Sequence, residues 1–133
     1  MDLIRITSDK EKVRSILKMI SLIEERIKIQ DRKKMTALII TDYYEIIKEL
    51  ITAVLLIDGY KTLSHRDLIE YIKEKYLEFT RQEISILDSL RILRNRVSYE
   101  GFFIEISYLN RNESLFKLVI NKLKEIISKK LED

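Results

Sequence analysis

The sequence predicts an all-α protein, an antiparallel up-and-down helical bundle of four long helices and one short helix. The chain has no proline and only two glycines, Gly59 and Gly101, so little in it interrupts long helices or supplies tight turns. Its apolar residues recur at intervals of three and four along nearly the whole length, which is the spacing of one helical face. A chain of 133 residues with short connections favours a single domain over residues 1–133.

The composition excludes several classes of protein. Hydrophobic residues make up 46% of the chain and charged residues 35%, which is typical of a folded globular protein and not of a disordered one. The net charge of +3 is too small to indicate a polyanionic partner by itself. Without cysteine, and with one histidine, the chain has no His/Cys zinc site, and we expect neither a metal nor a cofactor.

No segment of the sequence has the character of a membrane span or a signal peptide. The longest uncharged stretch, residues 50–57, is far shorter than the ~18 apolar residues that a membrane span needs. The beginning of the chain carries Asp2 and no signal-like apolar segment. We therefore expect a cytoplasmic protein.

Two long helices are predicted in the first half of the chain. Ser8 and Glu11 form a capping-box pattern that begins a helix over residues 9–29, and the polar residues 30–34 form a break. The second helix is predicted over residues 35–57 and ends at Gly59, because glycine adopts the left-handed conformation without a Cβ clash. Its apolar residues are too dense for one stripe, so it should be the central and most buried helix.

Three further helices are predicted in the second half. Ser64 with Asp67, and Thr80 with Glu83, are cap-like pairs at the start of the short third helix and of the fourth helix. Gly101 ends the fourth helix. Residues 102–109 are expected to be extended or irregular, and the closing helix is recognised by the spacing of its apolar residues, Phe116, Ile120, Leu123, Ile127 and Leu131.

A cluster of arginines in the fourth helix is the main candidate for a functional site. Arg91, Arg94 and Arg96 fall within about two helical turns, with no acidic residue before Glu100. Clustered guanidinium groups attract phosphate or carboxylate, and Asn95 lies among them as a further hydrogen-bonding group. We take Arg91, Arg94, Asn95 and Arg96 as candidate ligand-binding residues.

An acidic stripe on the second helix is a candidate partner for these arginines. Asp42, Glu45 and Glu49 follow one another at spacings of three and four, on a helix that is otherwise apolar. We predict that the acidic and basic stripes meet. The two stripes form either a structural ion-pair network, simply two solvated faces, or the support of an anion-binding site, and the sequence leaves these interpretations open.

Histidine and aromatic residues provide weaker signals. His65 follows Ser64 at a predicted helix start, where we expect an exposed first-turn residue with no evident catalytic partner. Six aromatic residues are either core and rim residues or stacking platforms for bases: Tyr43, Tyr44, Tyr71, Tyr76, Phe102 and Phe103.

Three segments together resemble the HEPN (higher eukaryotes and prokaryotes nucleotide-binding) domain family. Residues 42–60 are similar to the second helix of that family, and residues 62–69 are similar to the Ser/Thr-His pair that opens its next helix. Residues 94–99, Arg-Asn-Arg-Val-Ser-Tyr, stand where the family has Arg-Asn followed by a histidine. The resemblance covers residues 35–101 in detail.

The resemblance implies an antiparallel helical bundle and a homodimer with the signature arginines near the subunit interface. It also implies metal-independent RNA cleavage, as in many members, or nucleotide binding, or pairing with a small nucleotidyltransferase in a toxin–antitoxin system. We expect RNA or a nucleotide as ligand.

The sequence departs from the family at the position of the histidine, where it has Tyr99. RNA cleavage without a metal needs a base for the 2′-hydroxyl and stabilisation of the phosphorane charge, and arginine supplies only the second. A phenol with a pKa near 10 would need a shift of ~3 units, or ~4 kcal/mol, to act as a base at neutral pH. Arg94 and Tyr99 are the candidate catalytic residues of an endoribonuclease, with His65 as the alternative base. A binding module and a structural dimerisation protein without a ligand are the other hypotheses.

Overall fold

Helices account for most of the chain, and the all-α helical bundle predicted from the sequence is confirmed. A computed structural model describes residues 1–132. Within that range the elements are β1 Ile4–Arg5, α1 Lys10–Ile29, α2 Thr36–Asp58, β2 Tyr60–Lys61, α3 His65–Lys75, α4 Arg81–Glu100 and α5 Ile106–Glu132. The four long helices are α1, α2, α4 and α5, and α3 is the short one.

The direction of each long helix follows from its side-chain contacts. Residue numbers rise together along the contacts between α2 and α5, so these two helices are parallel. Along the contacts of α5 with α1 and its following turn, numbers rise on one side while they fall on the other. The contacts between α2 and α5 are Tyr43–Phe116 and Asp58–Lys130. The contacts of α5 with α1 and its following turn are Glu24–Lys124 and Arg32–Glu113, so α1 and α5 are antiparallel.

The second helix is the centre of the bundle, as predicted. α2 packs against α1, α3, α4 and α5. Its apolar residues point in all directions, and Ile39, Ile46, Leu50 and Val54 are fully buried. Because an all-round apolar helix is stable only when other helices cover it, α2 determines where the remaining helices lie.

The short helix α3 runs parallel to α2, because the chain returns along α2 in an extended segment before α3 begins. In this segment β2 pairs with β1 in an antiparallel two-stranded ladder that the sequence analysis did not predict. The return brings His65, at the start of α3, beside Tyr44, which lies about 21 Å along the axis of α2 from its last residue, Asp58.

The predicted caps are confirmed with one exception. The Thr80–Glu83 capping box is complete, the Ser64 side chain accepts a hydrogen bond from the Asp67 backbone N–H, and both glycines have left-handed backbone angles. The predicted cap Ser8 is wrong: Asp9 caps α1 by accepting from the Lys12 backbone N–H. A carboxylate one residue closer to the helix performs the same role.

The irregular segment predicted over residues 102–109 is shorter than expected. α5 begins at Ile106, so that only residues 101–105 connect α4 to it. Leu109 is fully buried in the first turns of α5. With neither glycine nor proline after Gly101, this packing extends the helix backwards beyond the region where the apolar spacing is clear.

The two left-handed glycines provide a matched test of the fold. In Gly101→Ala the new Cβ meets nothing within 4 Å. Only the strain of a left-handed alanine should then lower the free energy of unfolding, by about 1 kcal/mol. In Gly59→Ala the Cβ also lies 3.3 Å from the Ile6 carbonyl oxygen, so the backbone next to β1 must move by a few tenths of an ångström. Urea unfolding should show the larger loss for Gly59→Ala, and equal losses would contradict this account of β1.

Candidate functional site

The clustered arginines of α4 do not form one group, because they point to different sides of the helix. Residues two apart on an α-helix are about 200° from one another. The Arg96 guanidinium lies over the Phe102 ring at 3.7 Å and pairs with Glu100 at 3.3 Å. Arg94 is half-buried on another face. The predicted pairing of Arg94 with Arg96 at one ligand is therefore not found.

Arg94 instead lies with Arg91 on the side of α4 that faces Tyr44 and His65. Both guanidinium groups are close enough to these two residues to influence their pKa values. Arg91 donates two hydrogen bonds to one oxygen of Asp88, at 3.0 and 3.1 Å. We call Tyr44, His65, Arg91 and Arg94 the α4 cluster.

Arg94 is the member of the α4 cluster without a neutralising partner. Its one hydrogen bond is a long contact of 3.4 Å to the Asn95 side-chain oxygen. Across residues 1–132 no carboxylate oxygen lies within 4.0 Å of its guanidinium nitrogens. Asn95 thus lies beside Arg94, as the sequence suggested, while Arg91 is already paired.

His65 is anchored to α2 by a hydrogen bond. The Tyr44 hydroxyl lies 3.0 Å from His65 Nδ1, and the two rings are 6.0 Å apart. Burial raises the pKa of Tyr44 to about 12, and Arg91 and Arg94 oppose that rise, so its hydroxyl stays protonated at neutral pH. Since the Tyr44 hydroxyl has no other acceptor in the described part of the chain, we assign it as the donor to Nδ1. The neutral imidazole then carries its proton on Nε2.

The environment of His65 favours its neutral form. Burial is the largest cause that lowers its pKa, followed by the positive charges of Lys48 and Arg94, while Glu45 acts in the opposite direction. At neutral pH His65 is therefore an uncharged side chain with one N–H to offer. His65 lies in the first turn of α3 as expected, but the expectation that it is exposed and isolated is wrong, because the extended return after α2 carries it beside Tyr44.

The acidic stripe of α2 does not reach the arginines of α4, which corrects the predicted meeting of the two stripes. Asp42 accepts hydrogen bonds from Arg26 at 2.7 and 3.0 Å and from the Gln30 amide at 2.7 Å. Glu45 and Glu49 both lie near the Lys48 ammonium group, at 2.8 and 3.5 Å. Cations on α1 and on α2 itself are nearer to these carboxylates than α4 is.

Tyr99 lies apart from the α4 cluster. Its side chain is 77% exposed and makes no hydrogen bond within residues 1–132. Ile92 and, beyond the end of α4, Phe103 are further exposed apolar side chains.

The aromatic residues divide between core and surface. Tyr43, Tyr44 and Tyr71 are buried, and Phe102 is half-covered by Arg96. Phe103, which is 86% exposed, is the candidate stacking residue with a free ring face.

No group of three or more His, Cys, Asp or Glu residues within residues 1–132 is arranged to hold a metal ion. Over the same range, no helix combines the length and apolar character needed to cross a bilayer. No protein-family model, curated protein or solved structure matches the chain.

The lowered pKa of His65 predicts a pH dependence of stability. As the pH falls below about 6.5, the unfolded chain binds a proton at this histidine that the folded chain resists, so the free energy of unfolding should decrease between pH 7 and 5.5. In His65→Gln the amide oxygen replaces Nδ1 as acceptor for Tyr44, and this decrease should be smaller. Urea unfolding at both pH values measures it, and an identical slope in the two proteins would contradict the assignment.

Proposed function

We propose that this chain is a HEPN-like module that binds a phosphate group of RNA or of a nucleotide at the α4 cluster. The observation that carries the proposal is Arg94, a half-buried residue whose guanidinium group lacks a carboxylate partner in the described residues. A cation withdrawn from water without a counter-ion is stabilised by an anionic ligand. Phosphate oxygens accept the charge-assisted hydrogen bonds that guanidinium groups donate best.

The other members of the α4 cluster supply donors and shape. Arg91 uses two of its five N–H groups on Asp88 and keeps the remaining donors. His65 offers its Nε2–H when Tyr44 occupies Nδ1. Lys48 is close to the cluster, but Glu45 and Glu49 neutralise it. Arg94 is thus the principal attraction for an anion, and Arg91 and His65 orient it.

The same geometry supports binding more strongly than catalysis. A general base needs a free ring nitrogen with a lone pair, and in the assigned tautomer that nitrogen, Nδ1, is already an acceptor for Tyr44. The observation that favours an endoribonuclease is that the single histidine of the chain lies beside Arg94. Cleavage would require His65 to leave Tyr44 or change tautomer.

We also propose that two copies associate through exposed apolar residues of α4 and of the segment that follows it. Ile92, Tyr99 and Phe103 are 48%, 77% and 86% exposed, and buried apolar area is the main source of affinity between subunits. The resemblance to HEPN domains implies a homodimer at the signature segment, and a small nucleotidyltransferase as a further partner. Sedimentation of the wild-type chain should show a dimer that Phe103→Ser weakens, and a monomer at high concentration would contradict this surface.

Binding to RNA and nucleotides tests the phosphate site directly. Fluorescence anisotropy with labelled single-stranded RNA and a labelled nucleoside triphosphate should show saturable, salt-sensitive binding. Arg94→Ala should weaken it about tenfold or more, because a hydrogen bond to a charged group is worth about 1.5–3 kcal/mol. Arg14→Ala, which removes an exposed arginine from α1, is the matched control and should bind nearly as wild type.

Two outcomes would contradict the phosphate site. The first is the absence of binding to either ligand, and the second is an equal loss in Arg94→Ala and Arg14→Ala. Thermal unfolding of Arg94→Ala separates ligand binding from scaffolding. An unchanged midpoint with lost binding supports the site, whereas a loss of several kcal/mol in the free energy of unfolding supports a purely structural arginine.

Incubation of single-stranded RNA with the protein and a chelator tests the endoribonuclease alternative. We expect intact RNA at high protein concentration, because the lone pair of His65 Nδ1 is occupied and Tyr99 is exposed and makes no hydrogen bond within residues 1–132. Cleavage that His65→Gln or Tyr99→Phe abolishes would establish the enzyme instead. Gel electrophoresis of end-labelled RNA provides the measurement.

A further inference from the structure

Asp88 places a negative charge at the edge of the α4 cluster. It lies one helical turn before Arg91, and its Oδ1 atom accepts both of the hydrogen bonds that Arg91 donates to it. It also lies close enough to Tyr44 to raise the pKa of that hydroxyl. A ligand that binds Arg91 and Arg94 therefore meets this carboxylate as well.

The pairing with Asp88 divides the hydrogen-bond donors of Arg91. Arg91 donates from Nε and from Nη2, so one edge of its guanidinium group is taken. Three of its five N–H groups remain, and two of these are on Nη1. The Arg91 side chain is 19% exposed and the Asp88 side chain is 54% exposed. The carboxylate thus reaches solvent while it holds a guanidinium group that is largely covered.

Only one cation near His65 lacks a carboxylate partner. Lys48, Arg91 and Arg94 are the three cations that lower the pKa of His65. The Lys48 ammonium group lies 2.8 Å from Glu45 and 3.5 Å from Glu49, and Arg91 is paired with Asp88. Of the three, Arg94 alone has no carboxylate oxygen within 4.0 Å in the described chain. One positive charge of the site is therefore unmatched.

Phosphate groups differ in charge according to how many of their oxygens are esterified. A phosphodiester, as in a nucleic-acid backbone, carries one negative charge. A terminal phosphate has a second pKa of about 6 and carries roughly 1.5 to 2 negative charges at neutral pH. The unmatched charge of Arg94 balances a phosphodiester, whereas a terminal phosphate brings additional negative charge next to Asp88.

An additional negative charge is unfavourable here because the site is partly withdrawn from water. Arg94 is half-buried, and the Arg91 side chain is largely covered. A second anionic oxygen would lose hydration without gaining a cation of its own, and the Asp88 carboxylate would repel it. Solvent around the exposed side of Asp88 screens this repulsion, so we expect a preference of about fivefold.

We propose that Asp88 is a specificity-determining residue that makes the α4 cluster select a singly charged phosphodiester over a terminal phosphate. This inference rests on the proposed phosphate site and names the class of phosphate that it binds. Arg94 pairs with the one negative charge, Arg91 donates from Nη1, and His65 donates from Nε2. Asp88 donates nothing to the ligand and acts through its charge.

Two probes that differ by one methyl group test the inference at pH 8. They are adenosine 5′-monophosphate, whose phosphate carries two charges at this pH, and its methyl phosphodiester, which carries one. His65 is the single histidine of the chain, so its ring resonances in NMR spectra report binding at the site without overlap. Titration of the full chain should show about fivefold tighter binding of the methyl phosphodiester.

Variants of Asp88 separate its charge from its hydrogen bonds. In Asp88→Asn the amide oxygen still accepts from Arg91 but the charge is gone, so the affinity for adenosine monophosphate should rise about fivefold and the preference should disappear. Asp88→Glu restores the charge and should restore the preference. Glu125→Gln, which removes an exposed carboxylate from α5, is the matched control and should keep the wild-type ratio. A purely structural Asp88 would change both affinities by the same factor.

The outcomes distinguish this inference from the phosphate site on which it rests. Equal affinity of the wild-type chain for the two probes, or a preference that persists in Asp88→Asn, would overturn the role of Asp88 and leave the phosphate site intact. Unchanged His65 resonances with both probes would overturn the phosphate site and this inference with it. Helical circular dichroism checks the fold of each variant, and the wild-type ratio decides the question even if a variant does not fold.

Discussion

The burial of α2 is the constraint on which the rest of this structure depends. An apolar helix that other helices cover on every side leaves its few polar groups at the points where those helices meet it. Asp42 binds Arg26 and Gln30 of α1 and its C-cap, while Tyr43 reaches Glu113 of α5 and Tyr44 reaches His65 of α3. The polar groups of the central helix thus specify the positions of its neighbours.

The last residue of α2 shows the same principle at the opposite end. Asp58 accepts hydrogen bonds from the Tyr71 and Tyr76 hydroxyls and from Lys130, each at 2.7 Å. One carboxylate therefore ties α2, α3 and α5 together, and burial with these hydrogen bonds raises the pKa of both tyrosines. Because these polar groups are hydrogen-bonded to one another, their role is structural. A candidate ligand site lies instead where a charged group lacks an oppositely charged partner, as at Arg94.

Adjacent tyrosines of α2 hold groups on two different neighbouring helices. Successive residues on a helix point about 100° apart, so Tyr43 faces Glu113 of α5 and Tyr44 faces the α4 cluster. In each place a buried hydroxyl holds a titratable group, Glu113 in one and His65 in the other. The hydroxyl of Tyr43 contributes to a neutralised ion pair, whereas the hydroxyl of Tyr44 orients a neutral imidazole near an unpaired guanidinium.

The sequence by itself determined the helices, most of their caps and the central place of α2, because these depend on local spacing, capping chemistry and glycine conformation. It also singled out Arg94 and Asn95, since arginines that are close in sequence can be recognised without knowing how the helices pack. Only the tertiary structure decided that Arg94 lies with His65 and Arg91 while Arg96 stacks on Phe102. The reason is that the extended return from Gly59 to Ser64 sets the position of α3, and its two-residue strand pairs with residues near the start of the chain. A contact between residues so far apart in sequence leaves no periodic signal.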